Sequence, residues 1–153
     1  AIANRGYWIT PHFYKGLRKG DSFIPQDKFN TTHKIDITRE RFEIVVDGMR
    51  GAVTSGTSRI AAIDSIEVCG KTGTAQNPHG EDHSIFIAFA PRYNPKIAIA
   101  VYIENGGFGA TIAAPIASLM IEKYLTDTIT RPWYETYLQQ KTIDYSITYK
   151  IKR

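Results

Sequence analysis

The sequence predicts an α+β fold, in which an antiparallel sheet is packed with helices. Three segments rich in Ile, Val, Phe and Tyr follow one another at residues 66–74, 85–90 and 97–104, and turn-forming residues separate them, as in consecutive antiparallel strands. Apolar segments at residues 39–53 and 110–125 flank these strands and are too long for strands themselves. With 153 residues, of which 42% are hydrophobic, the chain has the size of one domain or part of one.

The residues before the first predicted helix form shorter elements. Residues 1–6 have the composition of a helix C-terminus, since Asn, Arg and Gly supply a left-handed stop, and we expect that helix to start upstream. Short aromatic-rich strands are predicted at residues 7–10 and 13–17, on either side of Pro11. Residues 20–37 are predicted to be mostly loop.

The first predicted helix is amphipathic, with apolar side chains on one face and charged side chains on the other. Thr38 can cap that helix, and one face carries apolar side chains at helical spacing: Phe42, Val45, Val46, Met49 and Val53. Residues 54–57 end this helix, and residues 58–63 can form one further short helical turn.

In the C-terminal tail, apolar and polar residues alternate. Every second residue from Ile143 to Ile151 is Ile or Tyr, which predicts one more half-buried strand.

Charge and composition exclude several classes of protein. The 19 Lys and Arg residues exceed the 15 Asp and Glu residues by four, and no basic block occurs, so we predict no nucleic-acid partner. The longest apolar runs, such as residues 97–103, reach about a third of the length that crosses a bilayer. Cys69 is the only cysteine, which excludes an internal disulfide and a cysteine-rich zinc module.

The segment with the most chemical information is residues 68–76, where a cation, hydroxyls and glycines lie on a predicted strand. Because side chains alternate along a strand, Thr72 and Thr74 point to one side while Gly73 leaves space on the other. At a sheet edge, the open backbone groups of this strand could pair with an extended peptide. Lys71 and a threonine hydroxyl could then bind the terminal carboxylate, so the segment indicates peptide recognition.

The same residues have competing interpretations. Lys-Thr-Gly occurs by chance in many turns, so the tripeptide alone has little specificity. Gly70, Lys71 and Thr72 also end the G-x-x-x-x-G-K-[ST] pattern of phosphate-binding loops, which makes nucleotide binding a third hypothesis. Against it, Ser65 replaces the first glycine, and Gly73 follows where a helix has to begin.

Other polar residues could supply metal-binding or nucleophilic chemistry. Zinc-type ligands cluster in one short segment, comprising His79, Glu81, Asp82 and His83. Pro78 and Gly80 oppose the helix that would align the two imidazoles, so a solvated hairpin loop is favoured over a metal site. No serine is followed by a lysine three positions on, and no Ser-x-Asn or Gly-x-Ser-x-Gly occurs. Cys69 is predicted to be a small buried hydrophobic residue rather than a nucleophile.

Several short motifs, taken in order, carry a resemblance to a known family. They are Ala3-Asn4-Arg5-Gly6, Gly56-Thr57, Gly70-Lys71-Thr72-Gly73-Thr74-Ala75-Gln76, Phe89-Ala90-Pro91, and Gly109 with Ala113-Ala114-Pro115-Ile116-Ala117. Together they resemble the C-terminal half of the transpeptidase domain of class B penicillin-binding proteins, most closely the penicillin-binding protein 2 branch. The resemblance covers residues 1–125 and leaves residues 126–153 as a C-terminal tail.

The resemblance implies roles for the residues of the Lys-Thr-Gly segment. In this family a serine attacks the D-Ala-D-Ala end of a peptidoglycan stem peptide, the acyl group passes to an amine of a neighbouring strand, and β-lactams imitate the dipeptide. Lys71 would supply positive charge and support proton shuttling, and Thr72 would hydrogen-bond the substrate carboxylate beside Gly73. The backbone N–H of Thr74 would form half of an oxyanion hole. No cofactor is implied.

The family's Ser-x-x-Lys and Ser-x-Asn elements are absent from this sequence. We expect them upstream of Ala1, and we predict that this polypeptide alone is inactive and forms no acyl-enzyme. The resemblance further implies a parent protein anchored in the bacterial inner membrane, facing the periplasm, with a membrane glycan polymerase as partner. The rival hypothesis is a non-catalytic peptide- or ligand-binding module with a chance Lys-Thr-Gly, and the upstream coding sequence separates the two.

The implied fold is a partial β-lactamase/transpeptidase-like fold. The family has five antiparallel strands between helical layers, and the first two come from sequence that precedes this segment, so three would remain here. The strand at residues 97–104 would then have an unpaired edge, which favours homo-association of the fragment. The alternating tail at residues 143–151 is a candidate to cover that edge, within one chain or between two.

Overall fold

The computed structural model describes residues 1–26 and 31–141, which divide into two compact units. The first unit is Ala1–Val45 and the second is Val46–Arg153. The elements in chain order are β1 (Tyr7–Ile9), β2 (Gly16–Lys19), β3 (Ser22–Pro25), β4 (Thr32–Lys34), α1 (Arg39–Thr54), a 3₁₀ turn (Arg59–Ala61), β5 (Cys69–Ala75), β6 (His83–Ala90), β7 (Ile97–Ile103), α2 (Ala113–Thr126) and α3 (Trp133–Gln139). The strand predicted at residues 143–151 lies outside the described residues.

The first six residues form the helix-ending turn that the sequence predicts. Arg5 has a left-handed φ of 52°, and its N–H donates to the Ile2 carbonyl at 3.0 Å. The Gly6 N–H donates to the Ala1 carbonyl at 3.1 Å, which completes the pair of bonds that closes helix C-termini. Gly6 has a φ of 109°, and an added Cβ would lie 2.9 Å from the Phe42 ring, so this position requires glycine.

The prediction that residues 20–37 are mostly loop missed two short strands. Strands β3 and β4 lie in this segment, where β3 pairs antiparallel with β2 and β4 pairs antiparallel with β1. Gly20, with a φ of 60°, allows the tight turn that sets Lys19 opposite Ser22. Strand β2 begins at Gly16, three residues later than the aromatic content predicted. The position of the turn at Gly20 sets which residues of β2 and β3 pair, and the aromatic content does not reveal it.

Helix α1 forms where the apolar periodicity predicts it. The Thr38 carbonyl accepts the Phe42 N–H at 3.4 Å, which starts the helical hydrogen bonding at the predicted cap. Four of the five predicted core side chains are buried, but Val45 is 45% exposed. Val45 is adjacent to Val46 in the sequence and therefore lies at the margin of the apolar stripe.

The second unit contains the three-stranded antiparallel sheet that the sequence predicts, in the order β5-β6-β7. Thr72 on β5 lies opposite Phe86 on β6, and Phe86 lies opposite Val101 on β7. Strand β5 begins at Cys69, three residues later than predicted from Ile66. The reason is a tight turn at Ser65, with a φ of 65°, which brings Ile63 and Ile66 together as an isolated bridge.

Helix α2 packs on this sheet as predicted, with Pro115 in its first turn. The core between them is apolar and includes Val68, Phe86, Ala88, Ala114, Ala117 and Ile121. Helix α3 is a further element that the sequence analysis did not predict, because seven residues carry too little periodicity to indicate a helix. Among the described residues, no helix combines the length and apolar character needed to cross a membrane.

Candidate functional site

The candidate site is built on β5, which carries the predicted site residues in one stretch. Lys71, Thr72, Gly73 and Thr74 all lie on this strand, with Lys71 and Thr74 exposed and the two residues between them half-buried. Within residues 1–26 and 31–141, β5 pairs with β6 on one side and with no strand on the other. The condition for peptide pairing is therefore met, because the backbone groups on the free side of this edge strand can pair with an extended peptide.

Lys71 places its charge next to Thr72. Its Nζ donates to the Thr72 carbonyl oxygen at 2.9 Å and approaches the Thr72 hydroxyl at 3.5 Å. Lys71 lies in the middle of a strand, whereas a phosphate-binding loop needs its lysine at the start of a helix. The geometry therefore supports an anion site made of an ammonium and a hydroxyl, and it disagrees with the nucleotide-binding hypothesis.

The end of α1 and the turn after it are held against β5 by two hydrogen bonds. The Arg50 guanidinium donates to the Val68 carbonyl at 3.0 Å, just before the strand begins. Further along, the Thr57 hydroxyl lies 3.0 Å from the Thr72 hydroxyl. Cys69 and Gly70 are buried, and Cys69 is thus the small buried residue that the sequence predicts. The solvent-accessible part of β5 therefore runs from Lys71 to Ala75.

Gly109 supports β5 from the connection between β7 and α2. A Cβ added at this buried residue would overlap the carbonyl oxygens of Gly73 and Ile85 and would lie 3.1 Å from the Gly73 nitrogen. A Cβ at Gly73 itself would lie 3.3 Å from the Ile85 side chain, a milder contact. The close approach of the two backbones therefore depends mainly on Gly109.

Ser84 holds that connection in place. Its buried hydroxyl donates to the Phe108 carbonyl at 3.0 Å and accepts the Ala113 N–H at 3.1 Å. Ser84 also lies opposite Thr74 in the β5–β6 register. Sequence reasoning tested Ser84 only as a possible nucleophile, and no local pattern indicates a serine that bridges a loop to the start of a helix.

Residues 76–82 form the hairpin loop between β5 and β6, as predicted, and hydrogen bonds engage polar side chains in the loop and at the start of β6. The Asp82 carboxylate accepts the Asn77 N–H at 3.1 Å, and His83 Nδ1 accepts the Asn105 N–H at 3.1 Å. In the part of the chain that the structure describes, no group of three or more His, Cys, Asp or Glu residues could hold a metal ion. Beyond the end of β5, an open pocket of about 500 Å³ is lined by Gln76, Asn77, Pro78 and Asp82.

Comparison with known proteins identifies the family that shares this arrangement. Residues 1–122 match the sequence model of the penicillin binding protein transpeptidase domain. This chain belongs to that family. The predicted resemblance to class B penicillin-binding proteins is thereby confirmed.

This chain is similar to curated proteins that are much longer. Peptidoglycan D,D-transpeptidase MrdA of Haemophilus influenzae is 33% identical over 162 residues, which cover 92% of this chain and 24% of the relative. Peptidoglycan D,D-transpeptidase PbpA of Mycobacterium tuberculosis is 43% identical over 135 residues, which cover 81% of this chain and 27% of the relative. This chain thus spans about a quarter of the length of these relatives.

Solved structures confirm the α+β fold over most of this chain. The ceftriaxone acyl-enzyme complex of penicillin-binding protein A from M. tuberculosis matches with a TM-score of 0.70 and 30% identity, over 82% of this chain and 30% of that chain. Pseudomonas aeruginosa PBP2, in complex with WCK 5153, matches with a TM-score of 0.63 and 32% identity, over 82% and 27% of the respective chains.

A buried ion pair on the α2 side of the sheet anchors the residues that follow α2. The Arg131 guanidinium donates to Glu122 at 3.0 Å, to the Ser118 hydroxyl at 2.8 Å and to the Ala62 carbonyl at 2.7 Å. Arg131 is 8% exposed and Glu122 is 2% exposed. Burial alone would raise the pKa of the Glu122 carboxyl, but hydrogen bonds from Thr130 and Arg131 outweigh burial and hold this pKa below its usual 4.5.

The lowered pKa of Glu122 predicts a loss of stability in acid. Its contribution to the free energy of unfolding is fully present above pH 4.5 and is lost as the pH falls through the lower pKa of the folded state. Urea unfolding between pH 3 and pH 6 should therefore show a steeper decline in acid for the wild-type chain than for Glu122→Gln, which has no carboxyl to protonate. Equal slopes for the two proteins would contradict the assignment.

Proposed function

We propose that this chain forms the substrate-binding wall of a peptidoglycan D,D-transpeptidase, whose nucleophile lies in a preceding segment of a longer protein. The observation that carries the proposal is the edge strand β5, on which the Lys71 ammonium and the Thr72 hydroxyl lie together. Family membership and the names of the curated relatives support the reaction class. The alternative of a non-catalytic binding module would use the same strand without a nucleophile.

In the proposed complex, the C-terminal end of a stem peptide lies along β5. Lys71 and Thr72 bind the carboxylate of the terminal D-Ala, because a charge-assisted hydrogen bond is the strongest contact an exposed site can offer. The peptide then runs toward Ala75 and the pocket beyond it, since Cys69 and Gly70 are buried at the other end. Gly73 allows the close approach, and the Thr74 N–H is half of the oxyanion hole.

The chemistry is acyl transfer through a covalent intermediate. A serine oxygen of the preceding segment forms a bond to the carbonyl carbon between the two D-Ala residues, and the amide bond breaks. The terminal D-Ala leaves with a proton on its amine, with Lys71 supporting that proton transfer. An amine on the stem peptide of a neighbouring peptidoglycan strand then attacks the acyl carbon and displaces the serine oxygen. A β-lactam takes the place of the dipeptide, and ceftriaxone and imipenem form acyl-enzyme complexes with penicillin-binding protein A of M. tuberculosis.

The proposal also assigns a location and partners to the longer protein. Stem peptides lie outside the cytoplasmic membrane, so the domain faces the periplasm from an anchor elsewhere in that protein. A membrane glycan polymerase, which makes the strands to be cross-linked, is the proposed partner.

Acylation by a fluorescent penicillin tests the proposal. The full-length gene product should become labelled on a serine outside this chain, and the chain alone should show no adduct in its intact mass. Lys71→Ala in the full-length protein should slow acylation about 10- to 100-fold, the value of a hydrogen bond to a charged group. Lys96→Ala, an exposed lysine before β7, is the matched control and should acylate at the wild-type rate. An adduct on any residue of the chain alone, or normal acylation of Lys71→Ala, would contradict the proposal.

A further inference from the structure

Three side chains from two elements meet at the carboxylate-binding end of β5. Thr57, in the turn after α1, has its hydroxyl 3.0 Å from the Thr72 hydroxyl, which Lys71 Nζ approaches at 3.5 Å. We refer to the two hydroxyls of Thr57 and Thr72, together with the Lys71 ammonium that approaches one of them, as the hydroxyl cluster. Thr57 and Lys71 are exposed and Thr72 is half-buried, so an anion can reach the cluster from solvent.

Proton counting distinguishes two states of the hydroxyl cluster. A threonine hydroxyl has one proton to donate and two lone pairs that accept, whereas a lysine ammonium only donates. If Thr72 donates to Thr57, it has no proton for a carboxylate. If Thr57 donates to Thr72, both lone pairs of Thr72 are filled by Thr57 and Lys71, and its proton is available to a ligand.

We propose that Thr57 is a positioning residue that directs the Thr72 hydroxyl proton toward the substrate carboxylate. The inference rests on the proposed function of β5 and adds a residue from outside that strand. A bound carboxylate selects the state in which Thr57 donates, because only that state gives the ligand a hydrogen bond from Thr72. The effect is on the anion-bearing ligand, since an exposed bond between two neutral hydroxyls adds little to folding stability.

Backbone hydrogen bonds on both sides of Thr57 hold its hydroxyl in position next to Thr72. The Gly56 N–H donates to the Gly51 carbonyl at 3.1 Å, and the Ser58 N–H donates to the Ala52 carbonyl at 2.9 Å. These bonds fix the chain on both sides of Thr57 against the last turn of α1. A Cβ at Gly56 would lie 2.8 Å from Ala52 Cα, so the turn is closely packed. The Thr57 hydroxyl is therefore presented by a rigid turn.

The test measures acylation of the full-length gene product carrying Thr57→Val or Thr57→Ser. Valine keeps the shape of threonine without the donor, and we expect it to slow acylation by a penicillin about 5- to 30-fold. Serine keeps the donor and should stay within about twofold of wild type. With a penicillin whose carboxylate is esterified, Thr57→Val and wild type should react at equal rates, which a merely structural role for Thr57 would not produce. In a Thr72→Val background, the further change Thr57→Val should have no effect.

The outcomes separate the inference from the proposed function. If Thr57→Val acylates like wild type while Thr72→Val is slowed, Thr57 has no positioning role and the function of β5 stands. If Thr57→Val slows the free acid and the ester equally, its effect is structural and the inference is wrong. If neither Thr72→Val nor Lys71→Ala changes the rate, the proposed function itself fails.

Discussion

Replacing Arg131 by alanine is expected to lower the free energy of unfolding by about 3–5 kcal/mol. The change leaves the Glu122 carboxylate, which is 2% exposed, without its ion-pair partner. It also removes the guanidinium hydrogen bonds to Ser118 and to the Ala62 carbonyl. A buried charge without a partner costs more than the ion pair contributes, so most of the loss is desolvation of Glu122. Urea unfolding at pH 7 measures the effect.

Lys123→Ala is the matched control for this prediction. Lys123 also pairs with a carboxylate, that of Asp127, at 2.8 Å, but both side chains are more than half exposed. Exposed pairs of this spacing contribute about 0.3–0.5 kcal/mol, so the control should unfold close to wild type. If Arg131→Ala cost no more than Lys123→Ala, the description of Arg131 as the anchor of the residues after α2 would be wrong.

Replacing Gly109 by alanine is expected to destabilise the chain by about 3 kcal/mol, at the upper end of the range for overpacking. The added Cβ would overlap the carbonyl oxygens of Gly73 and Ile85, which are backbone atoms of paired strands. Backbone in a sheet cannot move aside like a flexible side chain, so β5 has to shift. We expect lower stability together with altered amide chemical shifts at Gly73 and Thr74, measured by urea unfolding and NMR.

Replacing Gly48 by alanine should change the free energy of unfolding in the opposite direction. Gly48 lies within α1, and an added Cβ there meets nothing within 4 Å. Alanine in a helix interior is favoured over glycine by about 0.5–1 kcal/mol, so Gly48→Ala should stabilise the chain. A Gly109→Ala protein as stable as Gly48→Ala, with unchanged shifts on β5, would disprove the support that we ascribe to Gly109.

Local sequence patterns predicted much of the fold, because helices and strands each have a characteristic spacing of apolar residues. The apolar spacing from Phe42 to Val53 predicted α1, and three apolar runs predicted β5, β6 and β7 in antiparallel order. Helix α3 was missed because it is short, and the errors in the strands occurred where turns decide the outcome. The hairpin of β2 and β3 depends on the positive φ of Gly20, and the late start of β5 depends on that of Ser65.

The candidate site was predicted in part. Lys71 and Thr72 were identified because a cation and a hydroxyl on a strand are visible in the sequence, and the resemblance to a transpeptidase family gave them roles. Gly109 was noted only as a matching position, and the reason for a glycine there is a backbone contact with Gly73 that no spacing encodes. Thr57 was interpreted as a helix breaker, although its hydroxyl reaches the site.

The sequence by itself determined the α+β class, the succession of strands β5, β6 and β7, and the family, since these follow from periodicity and from short motifs read in order. The tertiary structure alone decided which distant residues act together. Thr57 and Thr72 are 15 positions apart, Ser84 and Ala113 are 29 apart, and Arg131 and Ala62 are 69 apart. Such pairs form only when the packed core brings their elements together, because a hydrogen bond depends on distance in space and leaves no period in the chain.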